Sequence, residues 1–431
     1  MECRDVLGGI SRVQAHLAKL ERHRGAQFSS LPLARALIRL CIRAKQEDAR
    51  VEAIMWKSAV HSMITRLQGA PRAGSRLARR RNAKTLEVFV SDANRTYARF
   101  LHDGALPRAR CLVRLGDLAR YAGLRGRARR CYRSAVTAGD DTFAAAAHNA
   151  LGVLDEKEGH PLSAAYRYAR GSGRFRVPAG AAQRNLDRTL KAAATEHHGR
   201  GAAHDDAGRR SKKMSSLEKR RFGLAFLATL DRLVFSNLRQ SHDDAPAEAE
   251  TGREADAQGH DAAVDASLLL LERALKTNAL GAPRWLEAAS LCVFAIDAAD
   301  GLQAAQKQRS VDFGFVFATR LARDSRETAL PALVVLCDAL TDRTSRRRDD
   351  LRDVLGALCS RHPRSDANQP SDVDPGTTAL LLGLSERQDL CGFARLYDRP
   401  FQSPIDNGRR IDALRALHRG LAAPPNAPQP G

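Results

Sequence analysis

Apolar residues recur every three or four positions along most of this chain, and few runs alternate in the two-residue rhythm of a strand. Leu33, Leu37, Leu40 and Ile42 open this pattern. Ile54, Ala59, Met63 and Leu67 continue it at helical spacing, which predicts one or two long helices over 31–68 with a core-facing stripe. The stretch 69–84 mixes Gly69, Pro71 and clustered arginines, so it reads as a loop or the basic start of a helix; an amphipathic run follows from Thr85 to Leu101. Helical patterns return over 216–240, 264–300, 310–325, 329–341 and 350–361. Polar stretches separate them at 194–213, 241–263 and 362–376; 241–263 is acidic and has the composition of a disordered segment. The tail, 422–431, reads as unstructured.

The most specific feature is an internal repeat within 108–195. Its first unit contains Leu115, Gly116, Gly123, Ala128, Tyr132 and Ala135. The second contains Leu151, Gly152, Gly159, Ala164 and Tyr168, with Gly171 in the place of the last alanine. The offsets agree from leucine to tyrosine, and the repeat length is 36. Small residues where two antiparallel helices meet, with an aromatic filling the gap, form the tetratricopeptide signature. The chain is therefore expected to be all-α.

Composition agrees: alanine, leucine and arginine dominate, and aromatics make up only 5%. The net charge of +21 is unevenly spread. Residues 1–200 hold 38 Lys+Arg against 17 Asp+Glu, whereas 201–431 hold 32 of each. A basic half draws in phosphates, nucleic acid or acidic segments, or simply keeps the surface solvated. The eight cysteines are scattered without a CxxC pair and read as buried free thiols, and no apolar run reaches the ~18 residues of a membrane span. The N-terminus lacks a signal peptide's apolar core, which suggests an intracellular chain without a membrane role. No Walker loop, GxSxG, HExxH or dinucleotide fingerprint occurs, so no catalysis and no cofactor are expected. His197, His198 and His204 with Asp205 lie in a polar stretch and read as solvated side chains, with no metal site expected.

Within RCLVRLGDLARY (110–121), Arg114 and Arg120 flank Asp117 on one predicted helix, and Tyr121 follows. Such an arrangement is either an intrahelical ion pair or an arginine fork able to chelate a phosphate dianion. The basic clusters at 76–81 and 209–221, including Arg79, Arg80, Arg81, Arg209, Arg210, Lys212 and Lys213, are candidates for nucleic-acid contacts or nuclear localisation; solvated loop charge explains them equally well.

The segments RCLVRLGDLARYAG, CYRSAVTAGDDTFAAAAHNALGVLDEKEGHPLSAAYRYARG and MWKSAVHSMITRLQG resemble the telomerase-activating and nonsense-mediated mRNA decay adaptor family, the "ever shorter telomeres" family. Downstream, ALPALVVLCDAL and LSERQDLCGFARLYDRPF resemble its C-terminal helical domain. The resemblance implies a 14-3-3-like, tetratricopeptide-type domain that binds phosphoserine or phosphothreonine peptides, followed by a helical-hairpin domain labelled DNA/RNA-binding. Its phosphate-binding arginine falls on Arg120, with Tyr121 as companion. Its second basic residue falls on His61, a departure, because histidine is mostly neutral at pH 7. Lys57, one turn earlier, is the substitute. Asn149 matches a ligand-binding asparagine, and a satisfied core amide is the alternative.

The resulting expectation is a 14-3-3-like domain over 1–195, a linker over 196–213 and a C-terminal helical domain over 214–421. The expected function is a non-catalytic phosphopeptide adaptor in mRNA decay, found in cytoplasm and nucleus, whose partner is by analogy the phosphorylated decay helicase. The rivals are a telomerase-associated protein binding single-stranded RNA or DNA, and a scaffold for unmodified acidic peptides. The resemblance also raises a heterodimer with a paralogue.

Overall fold

The computed structural model describes residues 30–43, 49–69, 76–138, 141–172, 180–200, 216–238, 269–272, 280–324, 329–340 and 348–361, with isolated positions besides. Among these residues the chain is an all-α helical array without strands. In chain order the helices are α1 (Ser30–Arg43), α2 (Ala49–Ile54), α3 (Ser62–Gly69), α4 (Arg76–His102), α5 (Arg108–Tyr121), α6 (Arg125–Val136), α7 (Asp141–Lys157), α8 (Pro161–Ser172) and α9 (Ala181–Arg200). They continue with α10 (Ser216–Leu230), α11 (Gly281–Ala298), α12 (Ala304–Asp324), α13 (Leu330–Leu340) and α14 (Arg348–Arg361). A π-helical segment, Met55–His61, joins α2 to α3. No described helix is long and apolar enough to cross a membrane.

The two repeat units fold into helical hairpins, α5–α6 and α7–α8, with matching chemistry at each corner. Gly123 and Gly159 take φ +77° and +78°, a left-handed conformation that disfavours any side chain. There the Leu124 N–H reaches back to the Ala119 carbonyl at 2.8 Å, and the His160 N–H to that of Asp155 at 2.9 Å. These six-residue closures satisfy helix-end carbonyls that would otherwise lack a donor. Across each hairpin an aromatic ring presses on a glycine. A Cβ added to Gly116 would lie 2.5 Å from Tyr132 Cε1, and one on Gly152 would lie 2.5 Å from Tyr168 Cε1. Only glycine lets those rings close.

The chain divides into two compact units, Met1–Ala147 and His148–Gly431, so the division falls inside α7. The core of the first unit gathers Leu37, Met55, Trp56, Met63, Phe89, Tyr97 and Leu115. Its centre is edge-on aromatic packing, Trp56–Tyr97 at 5.8 Å and Tyr97–Phe100 at 5.6 Å. Residues 76–84 of the sequence's loop-or-helix stretch are the start of α4.

The second unit buries Leu162 and Tyr166 of α8, and Leu186 and Leu190 of α9, in one cluster with Phe222, Phe226, Trp285, Phe317 and Leu336. The polar stretch at 194–213 suggests a boundary at 195 and a linker over 196–213. Instead α9 continues to Arg200, and its apolar face shares a core with α10. Polar composition marks surface segments, whereas compact units are defined by shared cores. Residues 201–213, the acidic stretch 241–263, the tail 422–431 and the family-like string at 384–401 lie outside the described residues.

Candidate functional site

Helix α5 brings its polar residues to one side because 110, 114, 117 and 121 are spaced three and four apart. Three of its arginines each lie over an aromatic ring. Arg110 lies 4.7 Å from the Phe143 ring centre, Arg114 4.4 Å from Trp56, and Arg120 4.5 Å from Tyr121. Such cation–π contacts orient a guanidinium while leaving its edges free to donate.

The two upstream arginines are committed to Glu52 of α2. This carboxylate is only 2% exposed. It accepts Arg114 Nε and the Tyr97 hydroxyl at 2.9 Å each, and Arg110 Nη1 lies 3.7 Å from its other oxygen. A buried carboxylate requires such compensation, so this cluster fixes α2, α4 and α5 together. Burial, then the Glu52 charge, holds the Tyr97 hydroxyl's pKa well above its ordinary value. Arg114 is thus a structural residue, not the second prong of a fork with Arg120.

Arg120 is placed differently. Nε meets the Tyr132 hydroxyl and Nη2 meets Asp117, both at 3.3 Å, long for charge-assisted bonds. The Tyr132 hydroxyl in turn donates a hydrogen bond to Asp117 at a shorter 2.7 Å. Asp117 and Tyr132 therefore orient the guanidinium, while 23% of the side chain remains exposed. Burial lowers the Arg120 pKa, but Asp117 and Tyr132 outweigh it, so the group stays charged at every accessible pH. Burial, offset by Arg120, raises the pKa of Tyr121.

His61 closes the site from the π-helical segment. Its exposed ring lies 6.1 Å from Tyr121 and 6.4 Å from Trp56, so residues 60 positions apart in sequence meet. Lys57 is exposed, and its ammonium has no ion-pair partner among the described residues; no contact ties it to Arg120 or Tyr121.

Asn149 belongs to the second unit, where its Oδ1 accepts a 2.8 Å bond from Asn185 Nδ2. That interaction makes it a paired amide between α7 and α9. Of the nucleic-acid candidates, Arg79, Arg80 and Arg81 lie on the first turns of α4, with Arg80 and Arg81 exposed. Arg209, Arg210, Lys212 and Lys213 lie outside the described residues.

The polar roles of two participants had no marker in the sequence. Glu52 looks like an ordinary helix-face acid until Tyr97, 45 residues away, reaches it. Tyr132 was legible as a packing residue, but its hydroxyl also orients Arg120. Among the described residues, no group of three or more His, Cys, Asp or Glu side chains is placed to hold a metal ion. The described cysteines are free, with Cys111, Cys292 and Cys337 buried and Cys131 half-buried.

A scan against protein-family models finds no match, and a search of curated proteins finds none.

Proposed function

We propose that this chain is a non-catalytic adaptor that captures a phosphorylated segment of a partner protein at the face formed by Arg120, Tyr121 and His61. The observation that carries this reading is Arg120 itself: a permanently charged guanidinium, aimed by Asp117 and Tyr132, stacked on Tyr121 and still partly open. A planar guanidinium offers parallel donors to a phosphate dianion, and a charge-assisted bond of this kind contributes about 1.5–3 kcal/mol. The surrounding field has the right sign, because residues 1–147 hold 29 Lys+Arg against 12 Asp+Glu. By its resemblance to the decay adaptor family, the partner is a phosphorylated decay helicase and the setting is mRNA surveillance in cytoplasm and nucleus.

A second reading has its own observation. Helix α6 carries Arg125, Arg127, Arg129, Arg130 and Arg133 and no acid. Arg125, Arg127, Arg130 and Arg133 are exposed and have no ion pair among the described residues. Arg127, Arg130 and Arg133 spread around the side opposite Ala128 and Tyr132, which suits a phosphodiester backbone, as a telomerase-associated RNA- or DNA-binding protein would require.

Titrating the full chain with a phosphoserine peptide, its unphosphorylated twin and a single-stranded RNA separates these readings. The adaptor reading predicts at least tenfold preference for the phosphopeptide, and His61→Lys should tighten phosphopeptide binding further. Tighter RNA binding, with log affinity falling steeply against log salt, would favour the second reading. Equal affinity for the two peptides would leave a scaffold for unmodified acidic segments.

A further inference from the structure

The second unit contains a cavity of about 180 Å³ whose mostly apolar lining carries three cationic side chains. Lys219 and Arg220 reach it from α10, Arg284 from α11, and His160 and Ser163 from the start of α8; no carboxylate lines it. Leu280 supplies part of its apolar wall. The lining residues come from segments far apart in sequence, so this concentration of positive charge is a product of folding.

Carboxylates stand behind the wall and position it. Glu287 accepts the Ser163 hydroxyl at 2.6 Å and Arg284 Nη1 at 2.7 Å. Glu196 accepts Arg220 Nη2 at 3.1 Å. The Arg284 and Arg220 bonds each use one of the five N–H donors of a guanidinium and leave the others for a ligand. Lys219 is exposed and has no ion pair among the described residues. The first turn of α8 forms another side of the cavity, and its helix end adds potential of the same sign.

We propose that this cavity is an anion site for a phosphoryl group, separate from the Arg120 face. Its volume is below the ~300 Å³ at which drug-sized ligand pockets begin, so it fits a small charged group rather than an extended ligand. Two guanidinium forks match the geometry of tetrahedral phosphate oxygens, and an unpaired ammonium supplies net charge. The phosphoryl group comes either from free phosphate or from a phosphorylated side chain.

The test uses the full-length protein with Arg120→Glu, which removes the first-unit arginine from the measurement. Inorganic phosphate is titrated at low salt, followed by calorimetry and by the rise in melting temperature. Phosphate should bind this protein and raise its melting temperature. Adding Lys219→Glu, at an exposed residue without an ion pair, should weaken binding at least tenfold without lowering the melting temperature in the absence of phosphate. Displacement of phosphate by a phosphoserine peptide would identify a phosphorylated side chain as the occupant. Failure to displace it would identify free phosphate, and either result upholds the site. Equal phosphate affinity with and without Lys219→Glu would overturn the proposal. So would binding to the wild type but not to the Arg120→Glu protein, a result that leaves the adaptor reading intact.

Discussion

The two repeat hairpins share a backbone solution and differ in the charged side chains they carry. Both close on a left-handed glycine, and both set a tyrosine ring against a glycine at a matching distance. Their polar faces diverge at the equivalent positions, 36 residues apart. Arg110, Arg114 and Arg120 of α5 become Ala146, Ala150 and Glu156 in α7. Where Tyr132 donates to Asp117 beside Arg120, Tyr168 donates to Glu156 at 2.7 Å, and Glu156 in turn holds Arg188 at 2.9 Å. The first hairpin leaves a guanidinium partly exposed beside Asp117, whereas the second carries a carboxylate paired with Arg188. Packing constraints preserve the repeat, and the residues that packing leaves free decide its chemistry.

The largest effect should come from the shared feature. Gly116→Ala and Gly152→Ala each place a methyl group about 2.5 Å from a fully buried ring. Overpacking of this kind costs about 1–3 kcal/mol, more than the ~1 kcal/mol that alanine returns as a helix former. Urea denaturation should show similar losses for both variants. A loss in only one hairpin would break the equivalence.

A smaller effect sharpens the difference. Tyr132→Phe keeps the ring but removes the hydroxyl that links Asp117 to Arg120. Stability should fall by about 1 kcal/mol, the usual value of one such bond, and phosphopeptide affinity should fall a few-fold. Tyr168→Phe should cost similar stability and leave peptide affinity unchanged. Equal binding losses in the two variants would show that the hydroxyl acts on packing alone.

The smallest effect appears only in acid. His148 occupies the position of Leu112; it is buried, and neither ring nitrogen has a hydrogen-bond partner. Burial, with Arg170 and Arg167 nearby, holds its pKa well below the ordinary 6.5. The unfolded chain therefore binds this proton more readily than the folded one. The resulting stability is present above pH 6.5 and is lost as pH falls below it, by at most about 1.4 kcal/mol per pH unit. His148→Leu should leave neutral stability intact and flatten that decline. Parallel pH profiles for variant and wild type would contradict this.

Much of the fold was legible because helical periodicity and the 36-residue repeat are local signals. Gly116, Gly123 and Tyr132 could be assigned roles before their contacts were known. The boundary between compact units was not legible, because the apolar face that joins α9 to α10 resembles any other helix face. Within the site, the Asp117–Arg120 pair could be anticipated from its three-residue spacing. The approach of His61 to Tyr121 was expected only through family resemblance. The choice between ion pair and fork was not legible for Arg114, because its partner, Glu52, lies 62 residues away. Asn149 illustrates the same limit: an amide that matches a ligand contact in sequence is paired with Asn185 in the fold.

The central claim is that Arg120 gives the first hairpin a phosphate-binding face that the second lacks. It is tested most directly by measuring the affinity of full-length wild type and Arg120→Glu for a phosphoserine peptide and its unphosphorylated twin, with circular dichroism to confirm that the variant is folded. Loss of one or two charge-assisted bonds predicts at least tenfold weaker binding of the phosphopeptide and little change for the twin. A folded Arg120→Glu protein that binds both peptides as tightly as wild type would contradict the account.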